Sequence, residues 1–500
     1  MPCTTILVGK LASYDGSTLV ARNEDSGAGA YNPKNFRVVQ SEDQPRRYKS
    51  VLSKLELDLP DNPQRYTLMP NATPEEGIWG ACGFNDANVF MTATETLTSN
   101  ERVLSADPLV TYRKAQGQEG DPDYQPERAG GIGEEDMVSL VLPYINSARE
   151  GVLRLGSLLE EYGTYEMNGI AFQDVEEIWW LETIGGHHWI ARKVPDECYV
   201  IMPNQLGLDY FDLDDAFGEQ VEYLCSADLE DFIDQYHLDL SLDGSLNPRD
   251  AFGSHSDADH VYNTPRAWVL QRYLSPSAAL WDGPDADYRP ESDDLPWCLE
   301  PDRLITVEDI KYTMSHHFQG TPYDPYGKHG SEDTKGKYRP IGINRNNFLG
   351  LGHIRPYQPE AIQCLEWLAL GSNIFNAFLP FYANVDRTPD YLGQTDHLVT
   401  TESFYWVNRL IAAIADAHYS DCSNLIERYQ LKLQTKGWEI IHRYDQGYDP
   451  TWDTKTTREY LAKANDEIAA EAKKASYDLL DKVLGLASDQ MKCAYKRSDA

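Results

Sequence analysis

The sequence predicts an α+β fold in which two antiparallel sheets are covered by helices. Three observations support this class: short β-branched runs fill the first part of the chain, three closely spaced strands follow, and the last hundred residues have a helical pattern. Strands and helices therefore come in runs rather than in strict alternation, which favours antiparallel sheets. No internal repeat or long linker divides the 500 residues into independent domains.

The first two strands are predicted on either side of a tight turn. The runs TTILVG and TLVARN are short and β-branched, and the Asp15-Gly16 pair between them is typical of a hairpin. The segment NVFMTATET continues the strand character. If the first two strands pair as a hairpin, Arg22 and Asp25 return beside Cys3.

A helix and three further strands are predicted next. In SAREGVLRLGSLLEEYG, Ser147 and Glu150 form a capping box and Gly163 ends the helix. In EEIWWLETIGGHHWIARKVPDECYVIMPNQ, turns at Gly185-Gly186 and Pro195-Asp196 separate three strands. The middle of the chain, from about 205 to 345, is rich in Asp, Gly, Pro and Ser, which predicts long loops around the helix TPRAWVLQRYL.

The last quarter of the chain returns to strand character at CLEWLALGSNIFNAFLPFYANV and then becomes helical. A capping box at Thr456 and Glu459 predicts the start of a long amphipathic helix. We expect this helix to cover the core or a partner subunit. Its apolar positions recur at helical spacing: Leu461, Ala464, Ile468, Ala472, Ala475, Leu479, Val483 and Leu486.

Composition excludes several classes of protein. The formal net charge of -36 repels nucleic acid phosphates and anionic membranes, so no nucleic-acid partner is expected. No run reaches the roughly 18 apolar residues that a membrane span needs, and we expect a cytoplasmic protein. The eight cysteines form no C-x-x-C pair, which indicates neither a disulfide framework nor a zinc ribbon.

Cys3, in the opening segment MPCTTILVGK, is the candidate nucleophile. If residues 1–2 are removed, its thiol and a free α-amine share one residue, and their pKa values of about 8.5 and about 8 suit a nucleophile and its base. Such a residue needs a cation to favour the thiolate and a carboxylate to orient the amine, and Arg22 and Asp25 in ARNEDSG offer both. A small buried cysteine and an ordinary surface ion pair explain the same residues without chemistry.

Two acidic segments carry incomplete metal-binding patterns. DLSLDGSLNPRD approaches the offsets of a calcium loop, but Asp replaces the bidentate Glu and no helix clearly flanks it. HSDADH shares no helical face with a supporting glutamate. Solvated loops explain both segments, so no metal site is predicted. The residues concerned are Asp239, Ser241, Asp243, Gly244 and Asp250 in the first segment and His255, Asp257, Asp259 and His260 in the second.

Three longer stretches carry a family resemblance. MPCTTILVGKLASYDGSTLVARNEDS, YVIMPNQLGL and DADHVYNTPRAW closely resemble the dipeptidase A family, cysteine peptidases of the N-terminal nucleophile (Ntn) hydrolase superfamily. The similarity covers nearly the whole chain, including RPIGINR and EWLALGSNIFNAFLPFY. Bile salt hydrolases and penicillin V acylases are more distantly similar. They share an R-N-x-D motif, which Arg22, Asn23 and Asp25 match.

The resemblance implies an αββα four-layer sandwich of two antiparallel sheets covered by helices, with a helical C-terminal extension. Residues 1–2 would be a short propeptide removed on maturation, 3–390 the Ntn-hydrolase core with long loop insertions, and 391–500 a helical region packed on the core. No cofactor and no metal would be required. Removal of Pro2 would occur by attack of Cys3 on the preceding carbonyl or by another peptidase.

The resemblance also implies roles for individual catalytic residues. Cys3 would be the nucleophile and its amine the base and acid, with Arg22 near the thiol and Asp25 on the amine. Asn204 falls where the acylases carry an oxyanion-hole asparagine, and Arg266 where they carry a further active-site arginine.

Substrate-binding candidates complete the implied site. The acylases place a second asparagine in the strand corresponding to MTATET, where this chain has none, so Thr94 or a backbone amide is the candidate second oxyanion donor. A dipeptide is a zwitterion, which makes Glu95 the candidate for its amine and Arg266 for its carboxylate. Asn23 of the shared motif is also assigned to substrate binding.

The function predicted from all of this is hydrolysis of dipeptides with broad specificity. The expected partners are dipeptide or small amide substrates and further copies of the chain in a homo-oligomer. Two alternatives stay open at this stage: an acylase that cleaves linear amides, as bile salt hydrolases and penicillin V acylases do, and a non-peptidase scaffold similar to the secernins.

Overall fold

The computed structural model describes residues 3–27 and 30–492, without the side chains of Thr94 and Glu95. Within these residues, helices are combined with sheets whose strands all pair antiparallel. The α+β class is therefore confirmed. No helix of the described residues is long and apolar enough to cross a membrane.

The larger sheet contains seven strands among the described residues and holds Cys3 in its centre. From edge to edge, the order is β14 (Cys298–Leu299), β12 (Tyr199–Met202), β1 (Cys3–Val8), β2 (Thr18–Asp25), β15 (Asn346–Ile354), β16 (Cys364–Leu370) and β17 (Leu379–Tyr382). β1 and β2 pair as the predicted hairpin, with Cys3 opposite Glu24 and Thr5 opposite Arg22.

The smaller sheet has six strands in the described part of the chain. Its order is β13 (Tyr223–Cys225), β11 (Trp189–Lys193), β10 (Ile178–Thr183), β9 (Asn168–Gln173), β8 (Phe90–Thr96) and β7 (Cys82–Phe84). Two further strand pairs are β3 (Arg37–Val39) with β6 (Tyr66–Leu68), and β4 (Arg47–Lys49) with β5 (Glu56–Asp58).

The described helices before residue 400 have at most 15 residues, and two of the three after it are much longer, with 29 and 36 residues. The helices before residue 400 are α1 (Glu101–Ala106), α2 (Met137–Val141), α3 (Ala148–Tyr162), α4 (Leu213–Ala216), α5 (Leu229–Tyr236), α6 (Pro248–Phe252), α7 (Asp259–Tyr262), α8 (Thr264–Leu274), α9 (Val307–Thr313) and α10 (Asp390–Gly393). The helices after residue 400 are α11 (Phe404–Ala415), α12 (Tyr419–Gly447) and α13 (Thr454–Asp489).

The two sheets contact each other, and each also contacts helices. α3 packs on β9 and β10, while α12 and α13 pack on β17. Strand β10 lies between two hydrophobic cores, because its alternate side chains point to opposite faces of the sheet. Trp180 belongs to the core shared with the larger sheet, and Trp179 belongs to the core under α3. Assignment of this arrangement to the Ntn-hydrolase fold stays a prediction.

Strand β15, which lies between β2 and β16, is absent from the sequence prediction. Its sequence contains Gly350 and Gly352, and glycine is unfavourable in an ordinary strand. Here the two glycines permit a close approach, because a Cβ at Gly350 would meet the Phe348 ring and the Cys82 sulfur, and one at Gly352 would meet the Phe90 ring. The glycines Gly350 and Gly352 would weaken an isolated strand, but here they let the two sheets pack together.

The three strands predicted over 176–205 are confirmed, but they do not form one sheet. β10 and β11 pair as a hairpin, whereas β12 pairs with β1 in the larger sheet. The Pro195-Asp196 segment is thus a crossover between sheets. This crossover places Asn204, just after β12, next to the start of β1.

Three local predictions need correction, the third in part. The side chain that caps α13 is Asp453, which accepts a hydrogen bond from the Thr456 amide, so the predicted Thr456 and Glu459 box does not start the helix. The middle of the chain also contains more regular structure than long loops around one helix, because α4 to α9 lie within it. For α3, the Ser147 cap is confirmed, while the Glu150 carboxylate accepts from the Asn146 amide.

Candidate active site

Cys3 begins β1, between β12 and β2, and its side chain is fully buried. The β-branched residues that follow it favour an extended strand, and the turn around Asp15 returns the chain alongside. Since paired strands place opposite residues about 5 Å apart, this hairpin brings the ARNED segment of β2 to the thiol. The predicted proximity of Arg22 to Cys3 follows from this register.

The Arg22 guanidinium lies between the thiol and a carboxylate. Its Nη2 atom is 3.0 Å from Cys3 Sγ and 2.6 Å from Glu134 Oε1. All three side chains are almost completely buried. A cation at this distance from sulfur favours the thiolate, which is the reactive form of cysteine.

A second buried ion pair supports Arg22 from the other side. Glu24 Oε2 is 3.6 Å from Arg22 Nη1, and Glu24 Oε1 is 2.8 Å from Lys34 Nζ. The Lys34 ammonium also donates to the Trp79 carbonyl oxygen at 2.9 Å. Buried charges are costly unless they are paired, so this chain of alternating charges holds the Arg22 guanidinium in position.

Asp25 lies on the same strand and forms a different set of contacts. It makes an ion pair with Arg339 and accepts a hydrogen bond from Asn346 Nδ2. Arg339 belongs to the RPIGINR segment, and Asn346 begins β15. The carboxylate is therefore fixed at the end of β2 beside the Cys3 strand, while its predicted role on the amine stays a prediction.

Asn204 contacts the nitrogen of Cys3. Its Oδ1 atom accepts from the Cys3 N–H at 3.1 Å and from Arg266 Nη2 at 2.7 Å, and its Nδ2 atom donates to the Thr96 carbonyl oxygen at 3.0 Å. Because a guanidinium group can only donate, Arg266 fixes which atom of the Asn204 amide faces Cys3. Asn204 thus holds the atom that becomes the α-amine if residues 1–2 are removed.

The Arg266 side chain lies inside the protein rather than at its surface. It donates to the Cys3 carbonyl oxygen, to Thr4 Oγ1 at 2.7 Å and to Asn263 Oδ1 at 2.8 Å. These contacts bind the start of β1 to helix α8. They hold Arg266 against Cys3 and Asn204, and its predicted contact with a substrate carboxylate stays a prediction.

The HSDADH segment is connected to this network. Asp259 Oδ2 accepts from Ser254 Oγ and from the Ser256 amide, both at 2.9 Å, and Asp259 Oδ1 accepts from Asn263 Nδ2 at 2.5 Å. The segment therefore orders the turn that precedes Arg266. Among the described residues, no group of His, Cys, Asp or Glu side chains is arranged to hold a metal ion.

The structure describes the side chain of one remaining substrate-binding candidate, Asn23, and only the backbone of the other two, Thr94 and Glu95. Asn23 Oδ1 accepts from the Thr4 amide at 2.8 Å, and its Nδ2 faces the carbonyl oxygens of Met314 and Ile341 at 3.4 Å. The backbone of Thr94 and Glu95 lies in β8, where pairing with β9 shifts register after Met91. The side chains of these two residues lie outside the described part of the structure.

Sequence reasoning missed Glu24, Lys34 and Glu134. One signal was present for the first: ARNED places four polar residues in succession on a strand that is otherwise apolar, and all of them are buried. Lys34 and Glu134 are far from Cys3 in sequence, and only the fold brings Lys34 to Glu24 and Glu134 to Arg22.

Comparison with known proteins identifies the family. The model of peptidase family C69 matches residues 2–432 of the chain. The chain belongs to peptidase family C69. This membership confirms the resemblance seen in the sequence and makes the protein a peptide hydrolase of the cysteine type.

Three relatives of this C69 peptidase are similar to it over all or nearly all of their length. A protein of Bifidobacterium longum (strain NCC 2705) named "Dipeptidase" is 54% identical, with 100% of both chains covered. "Probable dipeptidase A" of Streptococcus pyogenes serotype M3 (strain SSI-1) is 50% identical, again over 100% of both chains. "Dipeptidase A" of Lactobacillus helveticus is 43% identical over 96% of each chain.

Proposed function

We propose that this C69 peptidase hydrolyses dipeptides and that Cys3 is its nucleophile once residues 1–2 are removed. The observation that carries the proposal is the contact of Arg22 Nη2 with Cys3 Sγ, at 3.0 Å, beside an Asn204 carbonyl oxygen that accepts from the Cys3 nitrogen. The dipeptidase names of its relatives support the substrate class. An Ntn-hydrolase fold, a cytoplasmic location and a homo-oligomer complete the proposal.

Removal of the first two residues is central because an amide nitrogen is not a base. In the unprocessed chain the Cys3 nitrogen is acylated by Pro2, and only a free α-amine titrates near neutral pH. We propose that Cys3 Sγ attacks the Pro2 carbonyl carbon. The Pro2–Cys3 C–N bond then breaks, the nitrogen takes up the thiol proton, and the acyl group moves to sulfur as a thioester. Water hydrolyses this thioester, which releases residues 1–2 and leaves a free thiol and a free α-amine on Cys3. Asp25 and Asn204 would then orient the new amine.

The proposed reaction has two stages. The α-amine accepts the thiol proton while sulfur attacks the scissile carbonyl carbon, and N–H donors stabilise the oxyanion that forms. We assign the stabilisation of this oxyanion to the Asn204 NH2 group, which its hydrogen bond to Thr96 O holds beside Cys3, and to the β8 backbone near Thr94. The amine then protonates the departing nitrogen, and water hydrolyses the thioester.

Replacement of the nucleophile tests this proposal. We expect Cys3→Ala to lower kcat/KM for dipeptides by at least about 10⁴-fold, because no other group forms the thioester. Cys364→Ala, which removes a different buried thiol on β16, serves as the control and should retain activity. Hydrolysis rates of wild type and both variants on dipeptides of varied side chains give the measurement.

The same assay separates the alternative substrate class. A dipeptidase requires the free α-amine of its substrate, whereas an acylase accepts N-acyl amides that lack one. Preference for N-acyl substrates over dipeptides, or dipeptide hydrolysis by Cys3→Ala, would contradict the proposal.

A further inference from the structure

We infer that Glu134 is the residue that binds the α-ammonium group of the substrate and so restricts the enzyme to peptides with a free amine. This inference rests on the proposed dipeptidase function and adds a specificity-determining residue to it. Glu134 was not a candidate from sequence, and the side chain of Glu95, predicted for this role, lies outside the described structure.

The position of Glu134 relative to the nucleophile supports the inference. Arg22 Nη2 contacts both Cys3 Sγ, at 3.0 Å, and Glu134 Oε1, at 2.6 Å, so the carboxylate is one bridging group away from sulfur. In a reactive complex the scissile carbonyl carbon lies about 3–3.5 Å from the nucleophile. The α-nitrogen of a dipeptide is two covalent bonds from that carbon and falls within reach of a carboxylate so placed.

The geometry around Arg22 shows why Glu134 is chosen among the buried carboxylates. Arg22 Nη2 contacts both Cys3 Sγ and Glu134 Oε1, whereas Glu24 Oε2 is 3.6 Å from Nη1. Asp25 makes its ion pair with a different arginine, Arg339. Glu134 therefore lies on the side of Arg22 that faces the nucleophile.

A second carboxyl group, that of Glu166, lies next to Glu134. Glu166 Oε1 accepts from the Glu134 backbone amide at 2.7 Å. Burial, and next the negative charge of Glu134, raise the pKa of Glu166 to about 7. A buried pair of carboxylates is stabilised by a cation placed between or beside them, and a zwitterionic substrate carries one.

Paired substrates test the inference. Glu134→Gln keeps the shape of the side chain and removes its charge. We expect kcat/KM for a dipeptide to fall by about 10- to 100-fold, mainly through KM, because a charge-assisted contact is lost. For the des-amino analogue, in which hydrogen replaces the α-ammonium, kcat/KM should fall by at least about tenfold less, so that the preference for the dipeptide is reduced.

A neighbouring carboxylate provides the matched control. Glu135 is buried and accepts from Ser50 Oγ at 2.5 Å and from the Leu52 amide at 2.6 Å. Glu135→Gln should leave the preference for dipeptide over des-amino substrate unchanged. If Glu134→Gln fails to fold, Glu134→Asp replaces it, and the retained charge should preserve the preference while the shorter side chain raises KM.

Each outcome decides the question. An equal fall for both substrates through kcat would show that Glu134 acts only on Arg22, and an unchanged preference in Glu134→Gln would also overturn the inference. Loss of the preference in Glu134→Asp, with the charge kept, would overturn it as well. Wild-type protein that hydrolyses neither substrate would refute the proposed function, whereas active wild type with an unchanged preference refutes only the role of Glu134.

Discussion

Two buried arginines belong to the paired strands β2 and β15, and they are bound in different ways. Arg22 lies opposite Gly350 in the middle of the pair, and Arg355 follows the end of β15. Arg355, just after β15, donates from Nη1 and Nη2 to the two oxygens of Asp445 on α12, at 2.6 and 3.1 Å, and also to the Ile362 carbonyl at 2.5 Å. Arg22, on β2, divides its contacts among the Cys3 sulfur, Glu24 and Glu134.

This difference separates a structural ion pair from a reactive one. Arg355 meets a single carboxylate in the two-point geometry that such pairs favour, and the pair joins the larger sheet to the C-terminal helices. Arg22 holds a sulfur atom whose charge changes during the proposed reaction. A buried arginine near carboxylates is therefore not evidence of catalysis by itself. The contact with the Cys3 sulfur distinguishes Arg22 from Arg355.

The largest effect is expected for the structural arginine, Arg355, and it is an effect on stability. Arg355→Met leaves Asp445 as a buried charge without its cation, and we expect the free energy of unfolding to fall by about 3–5 kcal/mol. Urea unfolding measures this loss. The double variant Arg355→Met/Asp445→Asn should recover part of the stability, while kcat/KM of the folded single variant stays near wild type. A large loss of kcat with unchanged stability would erase the distinction.

A smaller effect, on activity rather than on stability, is expected for Arg22. Arg22→Lys keeps the charge but cannot reach sulfur and Glu134 together, because lysine lacks the planar fork of arginine. We expect kcat/KM to fall by about 10²-fold. With less thiolate at a given pH, the acid limb of the pH–rate profile should move to higher pH. An unchanged rate and profile would mean that Arg22 only neutralises the two glutamates.

A buried carboxylate with a thiol as neighbour sharpens the comparison further. Glu366 on β16 lies 3.5 Å from Cys82 Sγ, and burial raises its pKa to about 7. An unfolded glutamate has a pKa of about 4.3, so the folded state binds the proton more tightly and wild-type stability falls as pH rises between these values.

Glutamine at position 366 does not titrate, so comparing Glu366→Gln with wild type isolates the contribution of Glu366 protonation to stability. We expect its stability relative to wild type to increase by about 2 kcal/mol between pH 5.5 and pH 7.5. Urea unfolding of both proteins across this range gives the difference. A constant difference would show that Glu366 keeps an ordinary affinity for protons, as a carboxylate with a cation partner does.

Much of the frame was predictable from local patterns. The hairpin that brings Arg22 to Cys3 follows from two β-branched runs and one turn, and the caps and stops of α3 are local signals as well. The family resemblance extended this to the region of Asn204 and Arg266, which the structure brings to the start of β1.

What the sequence did not reveal depends on contacts between distant segments. β15 looks unlike a strand because its glycines serve packing between the sheets, and the turn at Pro195 does not tell which sheet β12 joins. Glu134 meets Arg22 across 112 positions of sequence. No periodicity or local motif contains such a pairing.

The most direct test of the central claim is the intact mass of wild-type and Cys3→Ala protein, with the dipeptide activity of the same samples. In the proposed mechanism, the Cys3 thiol removes residues 1–2 and the α-amine set free is the catalytic base. We therefore predict that wild type begins at Cys3 and is active, while Cys3→Ala retains Pro2 and is inactive. Wild-type protein that retains Pro2 and still hydrolyses dipeptides at full rate would contradict the account, because an acylated nitrogen cannot accept the thiol proton.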